Sequence, residues 1–229
     1  LFRSQTTDDW EAIVVNNHST DDTEAVVARI GDPRISLVRY ANHGIIAASR
    51  NEGIRRARGE YVAFLDSDDE WMPGKLEACL ALMTPGIGLV GHGELWRDAA
   101  GRDREMAYGP TPRASYDALL YRGNCISTSA VVVRAEALRA VGGFDEDPAI
   151  VTTEDYDLWM RLARAGVRVS DWFEHWFPDA FSFAVVAVAI VFVASVAVGN
   201  ITSGKTVISV CGAHPRIRKE RRKRENHGS

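Results

Sequence analysis

Two acidic groups in this chain have a spacing that could do chemistry. Asp66, Asp68 and Asp69 place three carboxylates within four positions, at the end of the apolar run Tyr61-Val62-Ala63-Phe64-Leu65. About ninety residues later, Glu154 and Asp155 form a second acidic pair ahead of Tyr156-Asp157-Leu158-Trp159. Anions this close repel and raise one another's pKa unless a cation or hydrogen-bond donors neutralise them. Hard oxygen ligands suit Mg2+ or Mn2+, which takes one or two carboxylates and completes its shell with water and substrate phosphate. Each group also has a plainer reading. Asp-Ser-Asp-Asp-Glu could only cap a helix opened by Pro73, and Glu154 and Asp155 could be the acidic first turn that a helix dipole favours.

The elements that must position these groups follow from apolar periodicity. The run Tyr61–Leu65 has the character of a strand covered on both faces of a mostly parallel sheet, and ligands of such sheets sit beyond the carboxyl ends of the strands. Ala12–Val15 reads as a shorter buried strand that ends in the polar turn Asn16–Thr23. Ser19 or Thr20 is expected to cap a helix over Thr23–Ile30, with Val26, Val27 and Ile30 on one face. Ile35–Tyr40 reads as a strand and Ile45–Arg58 as a helix closed by Gly59. Leu76, Leu80 and Met83 mark a helix after Pro73, Gly88–Gly93 a strand, and residues 97–113 a loop able to cover a site. Tyr116–Tyr121 reads as a short helix, Ile126–Val133 as a strand and Ala135–Val141 as a helix. A last helix runs from the Thr152-Thr153-Glu154-Asp155 cap to about Ala165. Alternating strands and helices imply an α/β layer fold.

Composition is that of a globular protein, with 229 residues, 46% hydrophobic and 25% charged. The net charge of −4 hides an asymmetry, because residues 216–224 carry seven of the 27 basic residues. Cys79, Cys125 and Cys211 are widely spaced and form no CxxC pair, which argues against a disulfide framework or a zinc site and for a reducing compartment. The basic tail lacks the aromatic residues and fold context of a nucleic-acid binder, so no nucleic acid is expected.

The order of motifs resembles the inverting family 2 glycosyltransferases. The matching stretches are Ile13–Thr23, Ser49-Arg50-Asn51-Glu52-Gly53, Gly59–Asp69, Val141-Gly142-Gly143-Phe144-Asp145-Glu146 and Glu154–Trp159, together covering roughly residues 3–168. The resemblance implies a GT-A (nucleotide-diphospho-sugar transferase) fold, with a mostly parallel central sheet and helices on both faces, over residues 1–170. It implies transfer of one sugar from a nucleotide-diphosphate sugar to a saccharide, lipid-linked or protein acceptor hydroxyl, with inversion. Asn16, Asn17, Ser19 and Asp21 would contact the nucleoside, Arg50 and Asn51 would lie near the nucleotide, and Asp66 would approach the ribose or metal-bound water. Asp68, with Asp66, would hold Mn2+ or Mg2+ against the diphosphate, and Asp155, with Glu154 beside it, would be the general base. Trp71 is either a sugar-pocket wall or a packing residue. The family's first strand is expected to be missing before Leu1, and Asn16-Asn17 stands where the family usually presents paired aspartates. The Gln-x-x-Arg-Trp signature of processive members is not found, so single-sugar transfer is expected. An inactive remnant of such an enzyme and a nucleotidyltransferase of similar fold are the alternatives.

Beyond residue 170 the resemblance fades. Residues 171–204 contain the uncharged run Phe181–Val198, whose 18 residues would span about 27 Å as a helix. A membrane helix, a buried helix and strands are all compatible with it, seven of the 18 being Val. Residues 205–229 are expected to be a disordered basic tail. The resemblance implies a cytoplasmic enzyme, and these segments would place it at the inner face of the cell membrane.

Overall fold

A computed structural model describes residues 4–171 and 206–211 of the chain. In chain order, β1 (Trp10–Asn16), α1 (Thr23–Ile30), β2 (Ile35–Arg39), α2 (Ile46–Arg56) and β3 (Tyr61–Asp66) form the first half. Then come α3 (Lys75–Ala81), β4 (Ile87–Gly91), the pair β5 (Glu94–Arg97) and β6 (Asp103–Met106), and α4 (Tyr116–Arg122). The described elements close with β7 (Val131–Arg134), α5 (Ala135–Ala140), α6 (Glu154–Arg164), β8 (Arg168–Asp171) and β9 (Thr206–Cys211).

Seven strands make one sheet in the order β2-β1-β9-β3-β7-β4-β8, and β5 and β6 pair separately. The sheet is mixed. β7 runs antiparallel to both β3 and β4, while the other neighbouring pairs are parallel. Because β7 is reversed, its amino end lies beside the carboxyl end of β3, and the residues just before Val131 are delivered to Asp66.

Strand β3 is buried on both sides, as its apolar run requires. Val62 and Phe64 face a core with Ile13, Leu138, Leu158 and Trp159, and Ala63 and Leu65 face a second core with Trp10, Leu76 and Cys79. The alternation follows from successive side chains pointing to opposite faces. Helices α2, α5 and α6 cover the first face and α3 the second. Phe144 links the first core to the helices, with its ring edge-on to Phe64 at 5.2 Å and to Trp159 at 6.4 Å.

Several local expectations are corrected. Ile126–Val133 is not one strand, because Thr128–Ala130 makes a 3-10 turn before β7. The loop expected over residues 97–113 instead supplies β6, which folds back on β5 as a hairpin. Helix α1 buries none of its side chains, and Val26 is exposed. Its first turn is held by the Asp21 carboxylate, which accepts from the Thr23 backbone N–H, rather than by Ser19 or Thr20. Trp71 is buried and donates its indole N–H to the Ser129 carbonyl at 2.9 Å, so it is a packing residue.

The slot between β1 and β3 is filled from the far end of the chain. Strand β9 runs parallel to both neighbours, pairing Trp10–Val15 on one side and Tyr61–Asp66 on the other. The tail expected to be disordered from residue 205 therefore supplies a central strand, and Thr-Val-Ile-Ser-Val-Cys has the β-branched content that a central strand favours. No helix among the described residues is long and apolar enough to cross a membrane, and the apolar run Phe181–Val198 lies outside them.

A central strand with partners on both sides cannot accommodate proline, which removes a ladder donor. Ile208→Pro is expected to lower stability by at least the roughly 1–3 kcal/mol of an unsatisfied buried backbone group, read from urea unfolding. An unchanged unfolding midpoint would mean that β1 and β3 do not depend on β9.

Candidate active site

Parallel strands bring β1, β3 and β9 to a common carboxyl edge, and α6 begins beside it. The side chain at the centre is Arg50 of α2, only 6% exposed. Its guanidinium donates to Glu154 Oε1 at 2.7 Å and to Asp66 Oδ1 and Oδ2 at 3.0 and 3.3 Å. Arg50 therefore ties the end of β3 to the first turn of α6. Its guanidinium carbon also lies 5.3 Å from the centre of the Phe144 ring, the aromatic that links the core to these helices.

Asp155, next to Glu154, is placed differently. Its Oδ1 accepts from the Tyr156 N–H and its Oδ2 from the Thr128 hydroxyl at 3.1 Å. Burial pushes its pKa up, while the Tyr156 N–H and the charge of Arg50 pull the other way. Glu154, bound to Arg50 through one oxygen, accepts through the other from the Thr152 N–H at 2.7 Å. Of the acidic pair, Glu154 is thus a strut and Asp155 a poised carboxylate.

An open cleft of about 670 Å3 joins these groups. Arg50, Asp66, Glu154 and Asp155 line it together with Tyr108, Asn124, Ser127 and Thr128. Four of the sequence-predicted residues are therefore brought to one cavity. Asn51 is not among its lining residues. Its amide accepts from the Phe144 N–H and donates to the Phe144 carbonyl, both at 2.8 Å, so it fastens α2 to the Gly142-Gly143-Phe144 turn. Gly143 sits there at φ +74°, where an added Cβ would lie 2.6 Å from Asn51 Oδ1, so this turn needs glycine.

The nucleoside loop lies at the end of β1. Asn16 is buried and donates to Glu24 at 3.1 Å while accepting from the Ser19 N–H at 2.8 Å. Asn17 accepts from the Asn42 N–H, and Ser19 and Asp21 are exposed. Asn16 and Asn17 thus hold the loop in shape, and the Thr23 bonds lower the pKa of Asp21.

The turn after β3 carries the proposed cation ligands. Asp68 is exposed, and Asp66 is half-buried with its oxygens facing Arg50. Among the described residues, no three His, Cys, Asp or Glu side chains converge into a ready-made cage. A Mg2+ or Mn2+ site built on one or two carboxylates and completed by phosphate oxygens needs no such cage, and a carboxylate bound to Arg keeps free lone pairs, so Asp66 and Asp68 fit that donor set. Loss of hydration raises the pKa of Asp69; the Ser129 hydroxyl opposes this, and Asp68 and Asp66 add to it.

Sequence reasoning missed the segment that supports this turn. Ser129 Oγ accepts from the Asp66 N–H at 3.0 Å, and its carbonyl accepts from both Trp71 and the Lys75 ammonium. Lys75 is buried against the Trp71 ring, and loss of hydration brings its pKa down to about 7. The signal was present as Ser127-Thr128-Ser129, but a polar triplet read as a strand conceals its role as a turn.

A cleft at the sheet edge that gathers a buried arginine, a half-buried carboxylate and the first aspartate of an acidic turn has the layout of a group-transfer enzyme. The chain belongs to glycosyl transferase family 2, whose family model matches residues 2–126. It is 31% identical over 162 residues to the putative teichuronic acid biosynthesis glycosyltransferase TuaG of Bacillus subtilis, covering 69% of this chain and 62% of that protein. It is 38% identical over 162 residues to the UDP-Glc:alpha-D-GlcNAc-diphosphoundecaprenol beta-1,3-glucosyltransferase WfgD of Escherichia coli, covering 70% of this chain and 60% of the relative. WfaP of Escherichia coli, which is named for the same glucosyltransferase activity as WfgD, is 27% identical over 167 residues, 72% of this chain and 63% of its own. The matches thus span about 60% of the length of these curated relatives.

Removing the central cation should expose the cost of this arrangement. Arg50→Ala leaves Glu154 buried without its charge partner, and breaking a buried pair from one side costs roughly 3–5 kcal/mol. Urea unfolding of the variant is the measurement, and a loss below about 1 kcal/mol would show that the bridge does not hold α6 to β3.

Proposed function

We propose that this domain transfers a single sugar, with inversion, from a nucleotide-diphosphate sugar to a hydroxyl of a lipid-linked saccharide. The observation that carries the reading is Asp155. It is a half-buried carboxylate with a raised pKa, lining the same cleft as Asp66 and Arg50. A base of this kind takes a proton best when its pKa approaches the working pH. Family membership favours sugar transfer over nucleotidyl transfer. The acceptor class is suggested by relatives that act on a diphosphoundecaprenol-linked sugar, and an acceptor of that kind would place the enzyme at the inner face of the membrane.

In this reading the acceptor hydroxyl binds against Asp155. Its oxygen attacks the anomeric carbon as its proton passes to a carboxylate oxygen of Asp155, and the bond to the nucleotide diphosphate breaks on the opposite face. The Thr128 hydroxyl and the Tyr156 N–H fix the carboxylate's orientation. Asp68 and Asp66 would hold Mn2+ or Mg2+, which when bound supplies positive charge to the departing diphosphate. Arg50 holds Asp66 in place.

Two variants separate these roles. Asp155→Asn keeps the shape and the capacity to accept from Tyr156, and should lower transfer from UDP-glucose by on the order of 100-fold or more while donor binding persists. Transfer by the parent protein should fall as the pH drops through the raised pKa of Asp155, since only the carboxylate accepts the proton. The stability sign is opposite. The folded protein binds this proton more tightly than the unfolded chain, so the ionised group costs stability at neutral pH and the cost disappears as the pH falls through its folded pKa. Asp155→Asn should therefore melt at or above the parent temperature at pH 7.5, and near-normal turnover by that variant would remove Asp155 as the base.

Asp68→Ala should abolish the Mn2+ dependence of UDP-sugar binding in calorimetry. Unchanged Mn2+-dependent affinity would reject the cation assignment.

A further inference from the structure

The cleft has a second wall that the donor chemistry does not use. It is built from Tyr108, Asn124 and Ser127, and its hydroxyls share one partner. Glu94, the first residue of β5, accepts from the Ser127 hydroxyl through Oε1 and from the Tyr108 phenol through Oε2 at 3.0 Å. The same Oε2 accepts from the Trp96 indole at 3.0 Å. Loss of hydration and the Glu94 carboxylate push the Tyr108 phenol up to about 12, so it keeps its proton.

The adjacent residues Ser127 and Thr128 tie the two walls together. Ser127 donates to Glu94, while Thr128 donates to Asp155. The 3-10 turn over Thr128–Ala130 makes this possible, because in an extended strand the two side chains would point to opposite faces. Asp155 and the Tyr108–Ser127 pair thus line one cavity from neighbouring positions.

A hydroxyl has one proton and two lone pairs. With both protons committed to Glu94, Tyr108 and Ser127 offer the cleft only lone pairs. They can read a ligand's O–H or N–H donors and cannot donate to a ligand carboxylate or phosphate. The carboxylate of Asp155 disfavours an anion in the same space, and Arg50, the cation among the lining residues, is committed to the Glu154 carboxylate and to Asp66.

We infer that Tyr108 and Ser127, oriented by Glu94, form the acceptor-sugar subsite, and that the acceptor ring is neutral and is recognised by hydrogen-bond donors flanking the attacked hydroxyl. This rests on the sugar-transfer reading above. Tyr108 and Ser127 touch the acceptor, and Glu94 is a positioning residue that sets the direction of their hydrogen bonds.

The test uses the full chain, radiolabelled UDP-glucose and a synthetic N-acetylglucosaminyl diphosphate carrying an alkyl chain. Tyr108→Phe, Ser127→Ala and Glu94→Gln should each raise the KM for this acceptor about tenfold, the size expected for one lost hydrogen bond. The KM for UDP-glucose should stay within about twofold and kcat should change less than the acceptor KM. Glu94→Asp should recover part of the loss, which separates orientation from folding, and matching melting temperatures check that each variant is folded. A glucuronic acid acceptor ring should be a poorer substrate than the neutral ring, and Glu94→Gln should narrow that preference. Unchanged acceptor KM in active variants, or a preference for the anionic ring, overturns the subsite while leaving sugar transfer intact. No transfer by the parent protein to any neutral saccharide acceptor overturns the inference together with the reading it rests on.

Discussion

The guanidinium of Arg50 joins two carboxylates that lie far apart in the chain, Asp66 at the end of β3 and Glu154 at the start of α6. A buried cation is tolerated only when paired and hydrogen-bonded, so each partner depends on the other two. The relation between the Asp66 side and the Asp155 side of the cleft is fixed by this one group. Asp155 gains its place from the neighbouring Glu154 strut, and the acidic turn gains its place from Asp66. The packing below reinforces the same geometry, since Phe144 touches Phe64, Trp159 and the face of Arg50.

This arrangement assigns unlike roles to like residues. Glu154 and Asp155 are both carboxylates at the first turn of one helix, yet Glu154 is satisfied by Arg50 and a backbone N–H, whereas Asp155 is desolvated with weaker partners. A third carboxylate, Glu94, faces two hydroxyls and an indole N–H and so acts through the protons it collects. The carboxylates in and behind the cleft lining therefore differ in what each accepts from.

Much of this was legible in the sequence, for identifiable reasons. The double-sided burial of β3 was written in five consecutive apolar residues, and the carboxylates that follow could only emerge at the strand's carboxyl end. Asp66 was marked by its place in an acidic cluster at a strand end, whereas Arg50 and the part expected of Asp155 came through motif order. What escaped was long-range. Asn51 looks like an exposed polar helix residue until the Phe144 turn closes on it, and Ser127-Thr128-Ser129 reads as alternating strand until the reversed β7 shows that these residues must sit beside Asp66. The position of residues 206–211 had no local signal at all, because strand propensity says nothing about which neighbours a strand will choose.

Strand β9 also carries a kinetic consequence. Both of its neighbours, β1 and β3, are synthesised long before it, and its pairs with Trp10–Val15 join residues nearly two hundred positions apart. Closing so long a loop carries an entropic cost that must be met before any pairing repays it, and topologies rich in such contacts fold slowly. Until residue 211 has emerged from the ribosome, two apolar strand edges face an empty slot. The nascent protein is therefore open to mispairing until that stretch has been made, and a chaperone that shields sheet edges would matter more for its yield than for the stability of the finished fold.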